Sequence, residues 1–450
     1  MSLANLSSAR CRHCGTELSL VLANLGLSPI ANDYVPVERL AYAEPFYPLE
    51  TRVCQRCRLV QTVDVRRADE IFRSDYAYFS SQSTTWLKHA ETYVHDMVRR
   101  FGFDRTSRVI EIASNDGYLL QYALDRGMKC LGIEPCESVA RAAQAKGHDV
   151  LVEFFGADLA DRLVRDGRHA DLLVANNVLA HVPDINDFVQ GVAKVLSPEG
   201  VATFEIQHLL KLMKRHQFDT IYHEHFSYFS LLAAQRIFAS AGLRVFDVEE
   251  LETHGGSIRF FVCREDASHR LHANVERVLQ EEINFGLADD RAYVAWGEAV
   301  KETKRSLLAL LIGLKRQGKS IVGYGAPAKA VTLLNYCGIG QDFLDYTVDR
   351  APSKIGRFLP GVRLPILAPE AIFETQPDYV LILPWNIKDE IETQLEPVQE
   401  WGAKFIVPVP SARVEDGPTS ARKITAETST MHVLPTGAAK TPHADLPPAA

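Results

Sequence analysis

The sequence predicts an α/β chain built from a small cysteine-bearing module followed by two Rossmann-like units. Three observations carry this. "CRHC" at 11–14 and "CQRC" at 54–57 repeat one CxxC spacing. "SRVIEIASNDGYLLQYALDRGMKCLGIEP" reads as strand, tight turn, helix and strand over 108–112, 113–117, 118–126 and 130–133, a βαβ pattern. "KSIVGYGAPAKAVTLLNYCGI" offers a second strand, glycine turn and helix. At 450 residues the chain is also too long for a single core. The parts fall at 1–72, 73–285 and 286–411. A tail at 412–450, rich in Thr, Ala and Pro, is expected to be disordered because it has too little apolar surface to bury.

The two CxxC turns place four thiols where one ion can take them. In a reducing compartment Cys11, Cys14, Cys54 and Cys57 are expected to hold a structural Zn²⁺, with no ligand position left for a catalytic water. The segment between the pairs, rich in Pro and aromatic residues, reads as loop and short strand. The remaining cysteines, Cys130, Cys136, Cys263 and Cys337, are scattered. A net charge of −8 argues against nucleic acid as a partner. No secretory leader and no membrane-length apolar run is present, so a cytoplasmic chain with reduced thiols is expected.

The central part begins with "TTWLKHAETYVHDMVRRFGF", an amphipathic helix. In the turn that follows its first strand, "EIASNDGY", a single glycine, Gly117, accompanies Glu111, Ser114, Asn115 and Asp116. An acidic, glycine-poor turn repels phosphate and suits a ligand with a cationic end, such as the sulfonium and ammonium of S-adenosyl-L-methionine. It resembles the first motif of class I methyltransferases. Glu134, followed by Pro135, resembles their ribose-binding acid. "ADLLVANNVLAHVPD" looks like their fourth strand, ending at Asn176 and Asn177, and "VLSPEGVATFEI" like the fifth. A terminal hairpin, "LRVFDVEELETHGGSIRFFVCRED", carries His254, Ser257 and Arg259. A nucleotide-binding βαβ of another class is the alternative.

In the third part Gly323, Gly325 and Ala328 satisfy G-x-G-x-x-A, with Asp349 after the next strand. That is a dinucleotide signal, and an NAD-linked enzyme acting on a sugar nucleotide is the rival reading. Lys329 in the same turn, and Lys354 in a later basic loop, offer point charges to a nucleotide diphosphate instead.

"DTIYHEHFSYFS" places Tyr222, His223, Glu224 and His225 in a row after the fifth strand. Methylation at carbon requires loss of a proton beside a ketone, hence a base, a donor for the enolate oxygen and a group to orient them. Together the CxxC pairs, "EIASNDGYLL", "YHEHFSYFS", "HGGSIR" and "GYGAPAKA" resemble the sugar C-methyltransferases of deoxysugar biosynthesis over residues 10–410. That resemblance implies methylation, most often at C-3, of a TDP-linked 4-keto-deoxysugar. It implies His225 as base, with Tyr222, Glu224, His181 and Tyr76 around the keto-sugar. Tyr78, His254, Ser257, Arg259, Gly325, Lys329 and Lys354 are expected to bind substrate. Whether His223 assists His225 or points away is open at this stage.

Overall fold

The computed structural model describes residues 9–65 and 79–417. Tyr76 and Tyr78 lie outside the described residues.

Strands β1 (Leu20–Ser28), β2 (Tyr47–Val53) and β3 (Val60–Thr62) pair antiparallel in the first module. Residues 28–53 are loop and one 3-10 turn leading into a single strand, as the sequence suggests, and this loop joins the nine-residue β1 to the seven-residue β2. Their alternation is masked in the sequence because β1 shifts register twice against β2, which resets the inward face each time.

The central sheet follows from helix Thr84–Phe101, capped by the Ser83 side chain at Trp86 N–H and ended by left-handed Gly102. Its strands are β4 (Arg108–Ile112), β5 (Lys129–Ile133), β6 (Val150–Leu151), β7 (Ala170–Asn176) and β8 (Leu196–Gln207). The short β9 (Ser227–Tyr228) leaves this sheet to pair with β3. β10 (Leu243–Leu251) and β11 (Ser257–Arg264) then close it in the order β10-β11-β8-β7-β4-β5-β6. Only β11 runs against its neighbours. The chain reverses its winding between β4 and β7, and the carboxyl ends of strands flanking such a reversal form a binding crevice. The helix expected over 118–126 is confined to Leu120–Leu124.

Helix Asp290–Arg316, about 40 Å long, leads into the third sheet: β12 (Ile321–Tyr324), β13 (Thr347–Val348), β14 (Ile366–Leu367), β15 (Tyr379–Ile382), β16 (Lys404–Val407) and β17 (Arg413–Glu415). Its order is β14-β13-β12-β15-β16-β17, parallel except for β17. β17 carries ordered backbone past 411, where the sequence suggests the tail begins. Leu22, Leu25, Leu49 and Val53 of the module share one core with Leu209 and Ile221, with Trp296 and Leu307 of the long helix, with Leu333 of the helix Ala328–Cys337 and with Leu381 of the third sheet. The module is therefore packed into the body of the molecule.

Candidate active site

At the reversal point the backbone after β4 enters left-handed conformation three times, at Ala113 (φ 53°), Asn115 (φ 49°) and Gly117 (φ 80°). Non-glycine residues hold such angles only where their surroundings enforce them. Here Asn115 N–H donates to Glu134 Oε2 at 3.0 Å, and Ser80 N–H donates to Asn115 Oδ1 at 2.9 Å. Glu134 Oε1 accepts from Cys136 N–H at 2.8 Å. The carboxyl of Glu134 is buried, which raises its pKa against the pull of these donors. Asn176, at the end of β7, is also buried, and both polar atoms of its amide lack a hydrogen-bond partner among the described residues.

Glu134, Pro135, Asn115, Asn176 and Asn177 line a cavity of about 1210 Å³. Beside them Phe154, Phe155, Val178 and Pro183 form an apolar slot. An acid for ribose hydroxyls, an unsatisfied amide and an apolar slot suit an adenosyl group. The other turn residues face elsewhere. Asp116 bonds Ser81 and takes Lys146 Nζ at 3.1 Å. Ser114 packs on Gly132, where a Cβ would lie 2.4 Å from its Oγ, and Gly117 packs on the His148 ring. Glu111 is buried beneath the turn; burial and then Glu134 push its carboxyl pKa well up. These four shape the turn and do not line the cavity.

The histidine strip lies on the cavity's opposite wall. It is pinned by Phe226 N–H donating to Ala180 O at 2.7 Å and by Thr62 Oγ donating to His225 O at 2.7 Å. His225 Nδ1 is 2.9 Å from Thr220 O, so Nδ1 carries the proton, since a carbonyl only accepts. Nε2 is then the basic nitrogen, and it takes the Tyr222 hydroxyl at 2.8 Å. His181 likewise donates Nδ1–H to Glu224 O at 2.7 Å, and its ring centroid is 4.8 Å from that of His225. Burial lowers both imidazole pKa values, and for His225 the neighbouring His181 adds to it, so His225 is neutral at neutral pH. Glu224 is 2% exposed; its Oε1 accepts from Asn32 N–H at 3.2 Å and Nδ2–H at 3.1 Å, while Oε2 has no partner among the described residues. His223 points away, its Nε2 at 3.2 Å from Pro48 O and its ring edge-on to Tyr47.

His254 enters the cavity from the hairpin turn in left-handed conformation (φ 53°), with Nε2 3.3 Å from the Asn177 amide nitrogen. Burial, then Lys329, pulls its pKa down to about 4. The two other hairpin expectations are corrected. Ser257 Oγ bonds Thr253 O, and Arg259 is buried between Glu205 and Glu249, 2.6 Å from each. Neither lines the cavity, because the acids that neutralise Arg259 come from adjacent strands beneath it.

The third domain closes the cavity with Pro327, Ala328, Lys329 and Lys354. Lys329 Nζ donates to Asn386 Oδ1 at 2.6 Å and lies 4.4 Å from the Trp385 ring centroid. Lys354 bonds Ala326 O at 3.0 Å and Asp349 at 3.3 Å. Gly325 is a further correction: its φ is +90°, but the space above it holds Pro384, 2.5 Å from where a Cβ would sit. Asp349 accepts Ala326 N–H at 2.8 Å. The glycine and acid that a dinucleotide would use are thus engaged by protein.

In the module the Sγ atoms of Cys11, Cys14, Cys54 and Cys57 all lie within 4.8 Å of one another, with closest approaches of 3.4 and 3.5 Å. Four sulfurs about 2.3 Å from a tetrahedral zinc lie about 3.8 Å apart, so the set fits Zn²⁺ and leaves no open position. Trp86, Asn32 and Thr220 also line the main cavity and were not identified from sequence. Trp86 reads as part of a helix face, and Asn32 carries no local signal.

The sheet order, the acid-anchored turn at its reversal point and the cavity beside it define an S-adenosylmethionine-dependent methyltransferase with a structural zinc module. Family comparison agrees part by part. A zinc binding domain model matches residues 11–72, a methyltransferase domain model 86–248, and the C-methyltransferase C-terminal domain model 252–410. C-methyltransferase NovU of Streptomyces niveus is 35% identical over 404 residues, covering 90% of this chain and 96% of that protein. The chain belongs to this C-methyltransferase family. Solved structures with similarity include magnesium protoporphyrin IX methyltransferase ChlM of Synechocystis PCC 6803 with bound SAM, at 13% identity and TM-score 0.31 over 40% of this chain and 79% of that one. Mitomycin 7-O-methyltransferase MmcR shows 15% identity and TM-score 0.32 over 41% and 55%. Among the described residues no helix is long and apolar enough to cross a membrane.

Proposed function

We propose that the enzyme methylates the carbon beside the ketone, at C-3, of a TDP-linked 4-keto-deoxysugar in deoxysugar biosynthesis, through an enolate formed by His225. The observation that carries this reading is the Tyr222–His225 pair: a neutral imidazole whose Nδ1 is fixed on Thr220 and whose Nε2 faces a phenol. When substrate enters, the Tyr222 hydroxyl turns to the sugar's carbonyl oxygen, and Nε2 is freed to take the α-proton. The C–H bond breaks, its electrons move into the enolate, and an O–H donor meets the oxygen where charge develops. Glu134 and the turn at 113–117 would hold S-adenosylmethionine, which would supply the methyl group: a C–C bond would form at the enolate carbon as the S–CH₃ bond breaks, leaving S-adenosylhomocysteine. His181, Glu224 and His254 bound the sugar. Tyr76 and Tyr78 are proposed to join them.

Lys329 is the proposed diphosphate contact. Its direct partner is a neutral amide, whereas Lys354 is already neutralised by Asp349. A redox role for the third domain is disfavoured by the protein contacts that fill its glycine turn.

The test is mass spectrometry of the sugar product with S-adenosylmethionine and a panel of TDP-4-keto-6-deoxysugars. A gain of one methyl is expected, and a fall of about 10²–10⁴-fold in the His225→Asn variant. Without cofactor, wild type should exchange the α-proton with solvent. Methylation at oxygen or nitrogen with no exchange would sink the enolate step.

A further inference from the structure

We propose that Asn32, carried by the cysteine module, is a positioning residue of the active site. Through its backbone and side-chain N–H groups it fixes the Glu224 carboxyl in the wall of the cavity. The inference rests on the reaction proposed above.

Both Asn32 donors converge on the same oxygen of Glu224, from a residue 192 positions away in the chain. Asn32 and Glu224 both line the cavity. Oε1 is doubly occupied, and Oε2 is buried with no hydrogen-bond partner among the described residues, so the Asn32 donors carry much of the stabilisation of this carboxyl. A buried carboxylate without a partner costs far more than one that is bound.

The loop that carries Asn32 is held on its far side by the third domain. Tyr34 donates its hydroxyl to Ala326 O at 2.5 Å. Val35 and Phe358 exchange backbone bonds at 3.0 and 2.9 Å. Arg363 reaches Leu40 O and Tyr42 O at 2.6 and 2.8 Å. One loop thus grips the catalytic strip and the turn that bears Lys329. The module does more than brace the fold: it sets the distance between the sugar end and the nucleotide end of the cavity.

Burial raises the Glu224 pKa, and the Asn32 donors oppose this. The titratable groups that feel the carboxyl are Tyr34 of the module and Tyr228 of β9; His181 after β7 bonds the Glu224 backbone carbonyl, and Tyr222 and His225 flank it in its own strip. With these unchanged, loss of the amide donor moves Glu224 further up.

The experiment uses the full zinc-loaded chain with Asn32→Asp, which keeps the shape and replaces the donor with a second acid, beside Asn32→Ser, which retains a donor. Glu224 is titrated by its infrared carboxyl band, assigned as the band missing in Glu224→Gln, and turnover is measured as a pH profile. Asn32→Asp should raise the Glu224 titration, lower kcat about 10-fold or more and shift the acid limb of kcat/KM to higher pH. Asn32→Ser should recover most of this, and in a Glu224→Ala background Asn32→Asp should add little. An unshifted band with wild-type kinetics overturns the inference. A shifted band in a protein whose wild type acts on no keto-sugar supports the link between Asn32 and Glu224 and sinks the substrate reading instead. If Asn32→Asp does not fold, Asn32→Ala, which removes the side-chain donor, takes its place: a raised Glu224 band with lowered kcat supports donation, and a wild-type band and profile overturn it.

Discussion

Asp219 opens the histidine strip from a fully buried position. Trp385 Nε1–H donates to its Oδ2 at 2.6 Å, and Oδ1 has no partner among the described residues. Burial, partly offset by Lys329, pushes its pKa from the ordinary 3.8 to about 6. A carboxyl with a raised pKa favours the fold while protonated. Its contribution is undiminished below about pH 4, and stability is lost as pH rises through about 6. Asp219→Asn keeps an acceptor for Trp385 and removes the charge. It should raise Tm at pH 8, by up to about 3 kcal/mol of stability, and flatten the melting profile between pH 4 and 6. A variant that melts lower than wild type at pH 8 would show instead that the attraction to Lys329 dominates. Residues of this kind divide sharply in how readable they are. Tyr222, Glu224, His225 and Glu134 stand in runs whose chemistry is local, and they line the cavity. Arg259 misleads because a charged residue in a strand suggests exposure, while the acids that bury it, Glu205 and Glu249, lie on other strands. Asn32 is silent for the same reason: its partner is fixed only by tertiary packing.

Among the elements, the turn at 113–117 was legible as a strand-to-helix crossing that approaches a ligand, but not in its strain. Nothing in "EIASNDGY" announces that Ala113 and Asn115 take positive φ; at Asn115 the conformation is held by Glu134 and Ser80 from outside the turn. The one glycine is constrained twice, by a φ of +80° and by the His148 ring 2.4 Å from the missing Cβ. Gly117→Ala should therefore cost stability by a few kcal/mol and displace the Asn115 backbone from Glu134. Calorimetry with S-adenosylmethionine should show weakened binding of about 10-fold or more, while binding of the proposed TDP-sugar substrate changes little. Equal loss of both ligands would indicate general unfolding. By contrast β1 carries no clean signal in the sequence, since its two register shifts against β2 break the period-two pattern by which a strand declares itself.

For the whole molecule the consequence is cooperativity. A core that runs from Leu22 and Val53 of the module, through Leu209 and Ile221 below the histidine strip, to Trp296, Leu333 and Leu381 leaves the module no independent surface on which to unfold. The zinc ligands Cys54 and Cys57 flank the hairpin that leads into β3, and β3 pairs with β9 immediately after His225. Loss of the ion should thus be felt at His225. Cys54→Ser should lower the bound zinc and depress Tm. Melting followed by far-ultraviolet circular dichroism, by Trp fluorescence and by zinc release should give one coincident transition. Below that transition the variant should lose kcat in common with Asn32→Asp, since both relax the same wall of the cavity, even though no zinc ligand position is open to substrate. Two separated transitions, with zinc leaving first and turnover intact, would mean that the module is a tethered accessory and that the shared core does not couple it to the site.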